Sequence, residues 1–174
     1  IIIACNTVSS NSLDELKKAF DIPFVGVVEP GVRSVIDTTK NKKVGIIGTE
    51  ATVRSGMYTK LIHKADNSIE VFSKPCPLFV PLAEEGWYDN NVARLTAEIY
   101  LNELIGCGID TLLLGCTHYP LLKQCIGETI GEAVKIVDPA KNTAESIKEI
   151  LENRDMLNDG SEKPINVFYV SDIT

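Results

Sequence analysis

Short, uninterrupted apolar runs alternate along the chain with stretches in which apolar residues return every three or four positions. The runs fall at 1–4, 24–28, 44–47, 111–114, 134–137 and 167–170. Continuous runs of this kind suit strands of a parallel sheet covered by helices on both faces, where neither face can be polar. Between them, Leu13, Leu16 and Phe20 share one helical face. Val92, Leu95 and Ile99 do so in a longer stretch over 91–105, and Ala144, Ile147, Ile150 and Leu151 near the end, with Asn142 and Thr143 as caps. Strand alternating with helix predicts an α/β fold with right-handed crossovers, the run at 1–4 being a buried strand.

Proline and glycine supply the punctuation. Glu29-Pro30-Gly31 follows a strand and puts Pro30 near the first turn of a helix through 32–36, and Asp138-Pro139 precedes another helix in the same way. The expected division follows from these two points: a first α/β domain from 1–28 and 138–174, and a second from 29–137. Residues 158–164 are polar and contain glycine, which predicts a surface loop.

Length and charge narrow the classes. At about 150 residues per domain, 174 residues make one domain or two small ones. Against 17 Lys+Arg stand 24 Asp+Glu, a net charge of −7 with no basic block, which speaks against a nucleic-acid partner. A composition 44% hydrophobic and 24% charged is that of a globular protein and excludes disorder or fibrous repeats. No apolar run approaches the roughly 18 residues of a membrane span, and no signal peptide is readable, so a soluble cytoplasmic protein is expected. The cysteines, Cys5, Cys76, Cys107, Cys116 and Cys125, are odd in number and widely spaced, as free thiols in a reducing compartment would be. The chain opens without Met inside an apolar run, and further residues are expected upstream.

The chemistry lies in an internal echo. Ile1-Ile2-Ile3-Ala4-Cys5-Asn6-Thr7 and Leu112-Leu113-Leu114-Gly115-Cys116-Thr117-His118 share one grammar: three apolar residues, one tiny residue, a cysteine, then polar residues leading into a helix. In an open parallel sheet this is the carboxyl end of a strand, where ligands bind. The tiny residue would let backbone approach a ligand, and the helix N-terminus would lower the thiol pKa. Asn6, Thr7 and Thr117 could hold a carboxylate. Two such thiols on opposite faces of a carbon acid can remove a proton from one side and deliver one to the other, which is a two-base racemisation. His118 could tune or share the Cys116 proton. Other readings stay open: buried structural thiols, a metal module from Cys116, His118, Cys125 and Cys107 (at a spacing unlike zinc sites), or a hydrolase using one cysteine.

Ala4-Cys5-Asn6-Thr7, with Gly115-Cys116-Thr117-His118-Tyr119-Pro120-Leu121-Leu122, resembles glutamate racemase of the aspartate/glutamate racemase superfamily. Gly45-Ile46-Ile47-Gly48-Thr49-Glu50-Ala51-Thr52, followed by Ser55 and Tyr58, matches as well. So do Pro81-Leu82-Ala83-Glu84-Glu85-Gly86, the Asp138-Pro139-Ala140 helix and Phe168-Tyr169-Val170-Ser171, so the likeness runs along the chain in order. It implies two similar parallel-sheet α/β domains with the active site in the cleft between them, the first incomplete here. It further implies a cofactor-independent, metal-free enzyme interconverting L- and D-glutamate for peptidoglycan, with glutamate as its small-molecule partner; a homodimer is left open.

By the same resemblance Cys5 is the thiol acting on D-glutamate and Cys116 its counterpart for L-glutamate. His118 and Glu84, or its neighbour Glu85, are auxiliary acid/base groups, and Asn6, Thr7, Thr49, Thr52 and Thr117 bind the substrate's carboxylates and ammonium. The family's N-terminal Asp-Ser-Gly block and the Tyr-Gly segment after it have no counterpart and would lie upstream of Ile1. The chain by itself is therefore expected to be weakly active or inactive, and a racemase-derived binding protein remains an alternative. Cys76, Cys107 and Cys125 read as structural, His63 as solvated or capping, Trp87-Tyr88 as packing, and the charges over 145–154 as a solvated helix face.

Overall fold

A computed structural model describes residues 1–161 and 163–171. Its strands are β1 (Ile2–Ile3), β2 (Val25–Gly26), β3 (Lys43–Gly48), β4 (Glu70–Pro75), β5 (Thr111–Gly115) and β6 (Lys135–Val137). The helices are α1 (Asn6–Asn11), α2 (Leu13–Ala19), α3 (Val28–Thr38), α4 (Glu50–Ser55), α5 (Met57–Ala65), α6 (Phe79–Glu84), α7 (Asn91–Gly106), α8 (Lys123–Ile130) and α9 (Ala140–Glu152). A 3₁₀ turn over Tyr119–Leu122 leads into α8. β1 and β2 form one parallel pair, and a second sheet runs β4-β3-β5-β6, parallel throughout. This is the α/β class the pattern predicts.

The continuous apolar strands are buried on both faces, as their composition requires. In β5, Leu112 and Leu114 enter a core with Phe79, Leu101 and Ile126, while Leu113 points the other way into a core with Val32, Val35 and Ile62. β3 divides likewise, Ile47 to the first core and Val44 and Ile46 to the second. At the opposite end of the sheet, Asp110 accepts hydrogen bonds from Thr39 Oγ1, the Lys40 and Asn41 amides and Thr111 Oγ1, tying the α3–β3 loop to the start of β5.

The structure adds one strand to those expected and corrects other readings. β4 has no continuous apolar run because it is an edge strand, paired only with β3 and at most half-buried, so Val71 and Phe72 suffice among polar neighbours. The run over 167–170 forms no strand: Phe168 and Tyr169 are about nine-tenths exposed, and strand structure requires a partner edge that this segment does not meet. The 1–4 run shortens to Ile2–Ile3 with Ile1 and Ile2 exposed, since β1 pairs on one side only. On α7 the Val92, Leu95 and Ile99 stripe faces outward, and the smaller Ala93, Thr96 and Ala97, with Leu101 and Leu104, make the buried face because they let the helix approach its neighbours closely.

Helix starts mostly agree with the punctuation. Pro30 lies in the first turn of α3. The α9 start differs: Asp138 Oδ1 accepts from the Ala140 amide, and Thr143 is buried within the helix, its hydroxyl donating to the Pro139 carbonyl, so neither Asn142 nor Thr143 caps it. Residues 158–161 are exposed and without regular structure, as a surface loop requires; Glu162 in the predicted loop, and 172–174 at the end of the predicted first domain, lie outside the described residues. Shortening a fully buried β5 side chain with Leu112→Ala should cost about 2–5 kcal/mol of unfolding free energy. Ile99→Ser on the outward face of α7 should change it by less than about 0.5 kcal/mol, and urea titration of both variants checks the orientation of that helix.

Candidate active site

The site is built where β1, β3 and β5 end. Gly48 and Gly115 lie opposite each other at the ends of β3 and β5. A Cβ on Gly115 would stand 2.7 Å from the Ile47 carbonyl oxygen, so only glycine permits this approach. The space beside Gly115 is thus filled by the neighbouring strand, not reserved for a ligand as the sequence suggested. Thr49 and Cys116 follow directly and leave the sheet side by side.

Thr49 caps α4, its Oγ1 accepting from the Thr52 amide at 3.2 Å. Thr7 on α1 joins them: its hydroxyl lies 2.9 Å from that of Thr49 and 3.2 Å from that of Thr52, and those two are 3.0 Å apart. This triangle of hydroxyls fastens α1, and with it Cys5, to the start of α4. Cys5 is the exposed N-cap of α1, with its carbonyl accepting from the Ser9 amide. Behind it Asn6 is buried, and its Oδ1 accepts from the Tyr58 hydroxyl at 2.5 Å.

The second thiol sits in a different setting. Cys116 is buried, His118 Nδ1 lies 3.8 Å from its sulfur, and His118 Nε2 lies 3.3 Å from Glu84 Oε1. These side chains form one line, Glu84–His118–Cys116, and of the two adjacent glutamates it is Glu84 whose carboxylate meets the imidazole. Burial pushes the Cys116 thiol above its ordinary pKa, and the nearby Cys5 adds to this. The His118 and Tyr119 amides and the Thr117 hydroxyl act the other way and do not prevail. The expectation that a helix start lowers this thiol's pKa is therefore reversed at Cys116: desolvation outweighs the local donors, as it does for buried acids generally.

A cavity of about 300 Å³ opens between the two strand ends, lined by Ala4, Asn6, Cys116 and Thr117 on one side and by Pro139 and Ile147 on the other. Thr7, Thr49, Thr52, His118 and Glu84 do not line it and group around the two cysteines instead. Tyr58 carried no role at the sequence level; a tyrosine shortly after a Gly-Thr helix start gave no sign that its hydroxyl would reach Asn6. The other thiols do not join the site. Cys76 is sealed, with burial pushing its pKa up to about 12, Cys125 packs in the α8 core, and Cys107 ends α7. Among the described residues no three His, Cys, Asp or Glu side chains gather as metal ligands, so the metal-module reading finds no support. His63 Nε2 lies 3.0 Å from the Ile69 carbonyl.

Two thiols thus stand at matched strand ends of parallel α/β sheets, flanked by hydroxyls and an imidazole. Residues 1–147 match the profile of the Asp/Glu/Hydantoin racemase family, and the chain belongs to that family. A glutamate racemase of Geobacter metallireducens is 52% identical over 173 residues, which are 99% of this chain and 64% of that protein. The crystal structure of glutamate racemase from Francisella tularensis in complex with D-glutamate superposes with a TM-score of 0.92 at 38% identity, over 100% of this chain and 64% of that one. A Bacillus anthracis glutamate racemase does so with 0.87 at 39%, over 91% and 59%. The chain thus spans under two thirds of the length of these relatives.

The unequal thiols are separable by alkylation. Near neutral pH iodoacetamide should label Cys5 first and Cys116 far more slowly. Labelling of Cys116 should rise only as pH climbs beyond the ordinary thiol range, because its raised pKa withholds the thiolate. Peptide mass spectrometry over a pH series measures both rates.

Proposed function

We propose that these residues carry the two-thiol centre of a cofactor-independent racemase interconverting L- and D-glutamate and supplying D-glutamate for peptidoglycan in the cytoplasm. The observation that carries this reading is the placement of Cys5 and Cys116 at the ends of β1 and β5, close enough for a charge on one to disfavour a charge on the other. Among the described residues no helix is long and apolar enough to cross a membrane.

In the reaction one cysteine, as thiolate, takes the proton from Cα. The electron pair left on carbon is delocalised into the adjacent carboxylate, and the second cysteine, as neutral thiol, protonates the opposite face. The thiolate and thiol exchange identities in the process, so a turnover in the reverse direction returns the centre to its starting state. Burial keeps Cys116 protonated at neutral pH, which suits it to donate first, with Glu84 and His118 able to relay its proton. Asn6, Thr7, Thr49, Thr52 and Thr117 offer donors for the substrate's carboxylates and acceptors for its ammonium. Cα–H is a weak acid, and its ionisation depends on orientation and on water being excluded.

Cys5 is exposed, and its sulfur makes no hydrogen bond within the described residues, unlike Cys116. This favours, for the chain by itself, a ligand-binding role with weak turnover. A deuterium-exchange assay decides: NMR of D- and L-glutamate in heavy water with the chain, and with a chimera carrying the segments of the Geobacter relative outside the aligned region. The chimera should exchange and invert Cα of both enantiomers, and the chain alone little or none. Cys5→Ser and Cys116→Ser should each lower inversion by on the order of 10²–10⁴-fold. Undiminished inversion in Cys5→Ser would remove the two-thiol scheme.

A further inference from the structure

Tyr58 is a buried tyrosine whose hydroxyl makes its only hydrogen bond within the described residues across 52 positions, to Asn6 Oδ1. Its ring stands in the β3–β5–α3 core, where the place a Gly31 Cβ would take is 3.3 Å away and that of a Gly115 Cβ is 3.6 Å away. The side chain therefore lies against the residue before Cys116 and bonds the residue after Cys5. It thus touches both halves of the echo from behind.

In the structure the Tyr58 hydroxyl donates to Asn6 Oδ1, and a sealed phenol keeps the proton that this bond uses, since burial opposes its ionisation. The Asn6 atom facing it is accordingly the carbonyl oxygen, and the carboxamide is locked with Nδ2 on the other side. Nδ2 bonds to nothing in the described residues, yet the only side-chain polar atom among them that is both sealed and unpartnered is Ser10 Oγ. Nδ2 therefore opens onto the cavity that Asn6 lines with Cys116 and Thr117.

We propose that Tyr58 is a positioning residue: its hydroxyl holds the Asn6 carboxamide so that Asn6 turns its N–H donor, and not its carbonyl, toward the cavity beside Cys116, where it favours an anionic carboxylate oxygen of the substrate. The carboxylate's identity as glutamate rests on the racemase reading above; the orientation of Asn6 does not. Tyr58→Phe keeps the ring, and so the spacing behind the cysteines, and deletes only the bond.

Two readouts test it. In protein labelled with ¹⁵N-asparagine, the Asn6 side-chain amide pair, identified by its loss in Asn6→Ala, should shift in Tyr58→Phe with no ligand present. In the chimera, Tyr58→Phe should raise KM for both glutamate enantiomers about tenfold with kcat nearly unchanged, and adding it to Asn6→Ala should cost nothing further. An unmoved amide pair, or effects that multiply in the double variant, would overturn the proposal. If Tyr58→Phe does not fold, Asn6→Asp serves: it keeps the Tyr58 bond but turns an acceptor to the cavity, and should weaken glutamate about a hundredfold. Unweakened glutamate there overturns the proposal too. An amide pair that shifts in Tyr58→Phe while the unsubstituted chimera ignores glutamate would sink the racemase reading and leave the Tyr58–Asn6 tie standing.

Discussion

β3 and β5 come together at their ends through two glycines, and the side chains that leave the sheet there, Thr49 and Cys116, are placed by that contact. With Gly48 opposite Gly115, the Ile47 carbonyl occupies the room a side chain at 115 would need. The strands stay in register to their last residues, and Thr49 and Cys116 leave the sheet from adjacent points. Thr49 then caps α4, Thr52 falls one turn on, and Thr7 closes the hydroxyl triangle that draws in α1 from the other sheet. Each such hydrogen bond is worth only about 0.5–1.5 kcal/mol. Their effect is geometric: a short helix on a two-stranded sheet is held against a four-stranded one.

The two cysteines occupy similar positions in the chain and dissimilar ones in space. Cys5 caps a helix in the open, whereas Cys116 is enclosed and backed by His118 and Glu84. An enclosed thiol resists ionisation, so Cys116 holds its proton more firmly than an ordinary thiol does. For the racemase proposed here, the symmetry of the reaction is met by an unsymmetrical pair, one member poised as acid by desolvation and served by a relay. Chemical symmetry between enantiomers does not demand structural symmetry between the groups that serve them.

How much of this the chain disclosed depends on how local each determinant is. The α/β class was legible because Val44 to Ile47 and Leu112 to Leu114 are apolar on both faces, a burden only a doubly covered strand carries. β4 was illegible because an edge strand needs just Val71 and Phe72, and α7 misled because small residues, not large ones, mark its buried side. Both cysteines stood out by their repeated context. Glu84 and His118 were grouped only by the family resemblance and the Tyr58–Asn6 bond not at all, since each joins residues tens of positions apart with nothing in their spacing to announce it. The same holds for the Cys116 pKa, which is set by enclosure and not by the helix start visible in the sequence.

The two sheets also end in opposite ways. The outer strand of the larger one carries Glu70, Ser73 and Lys74 and closes on Pro75, so a foreign strand approaching it meets charge and a missing donor. The smaller sheet offers Ile1 and Ile2, both more than half exposed, and nearby an apolar hollow lined by Val25, Ile150 and Leu151. The charged β4 edge thus fixes the larger sheet on that side, and no further strand is invited to lengthen it there.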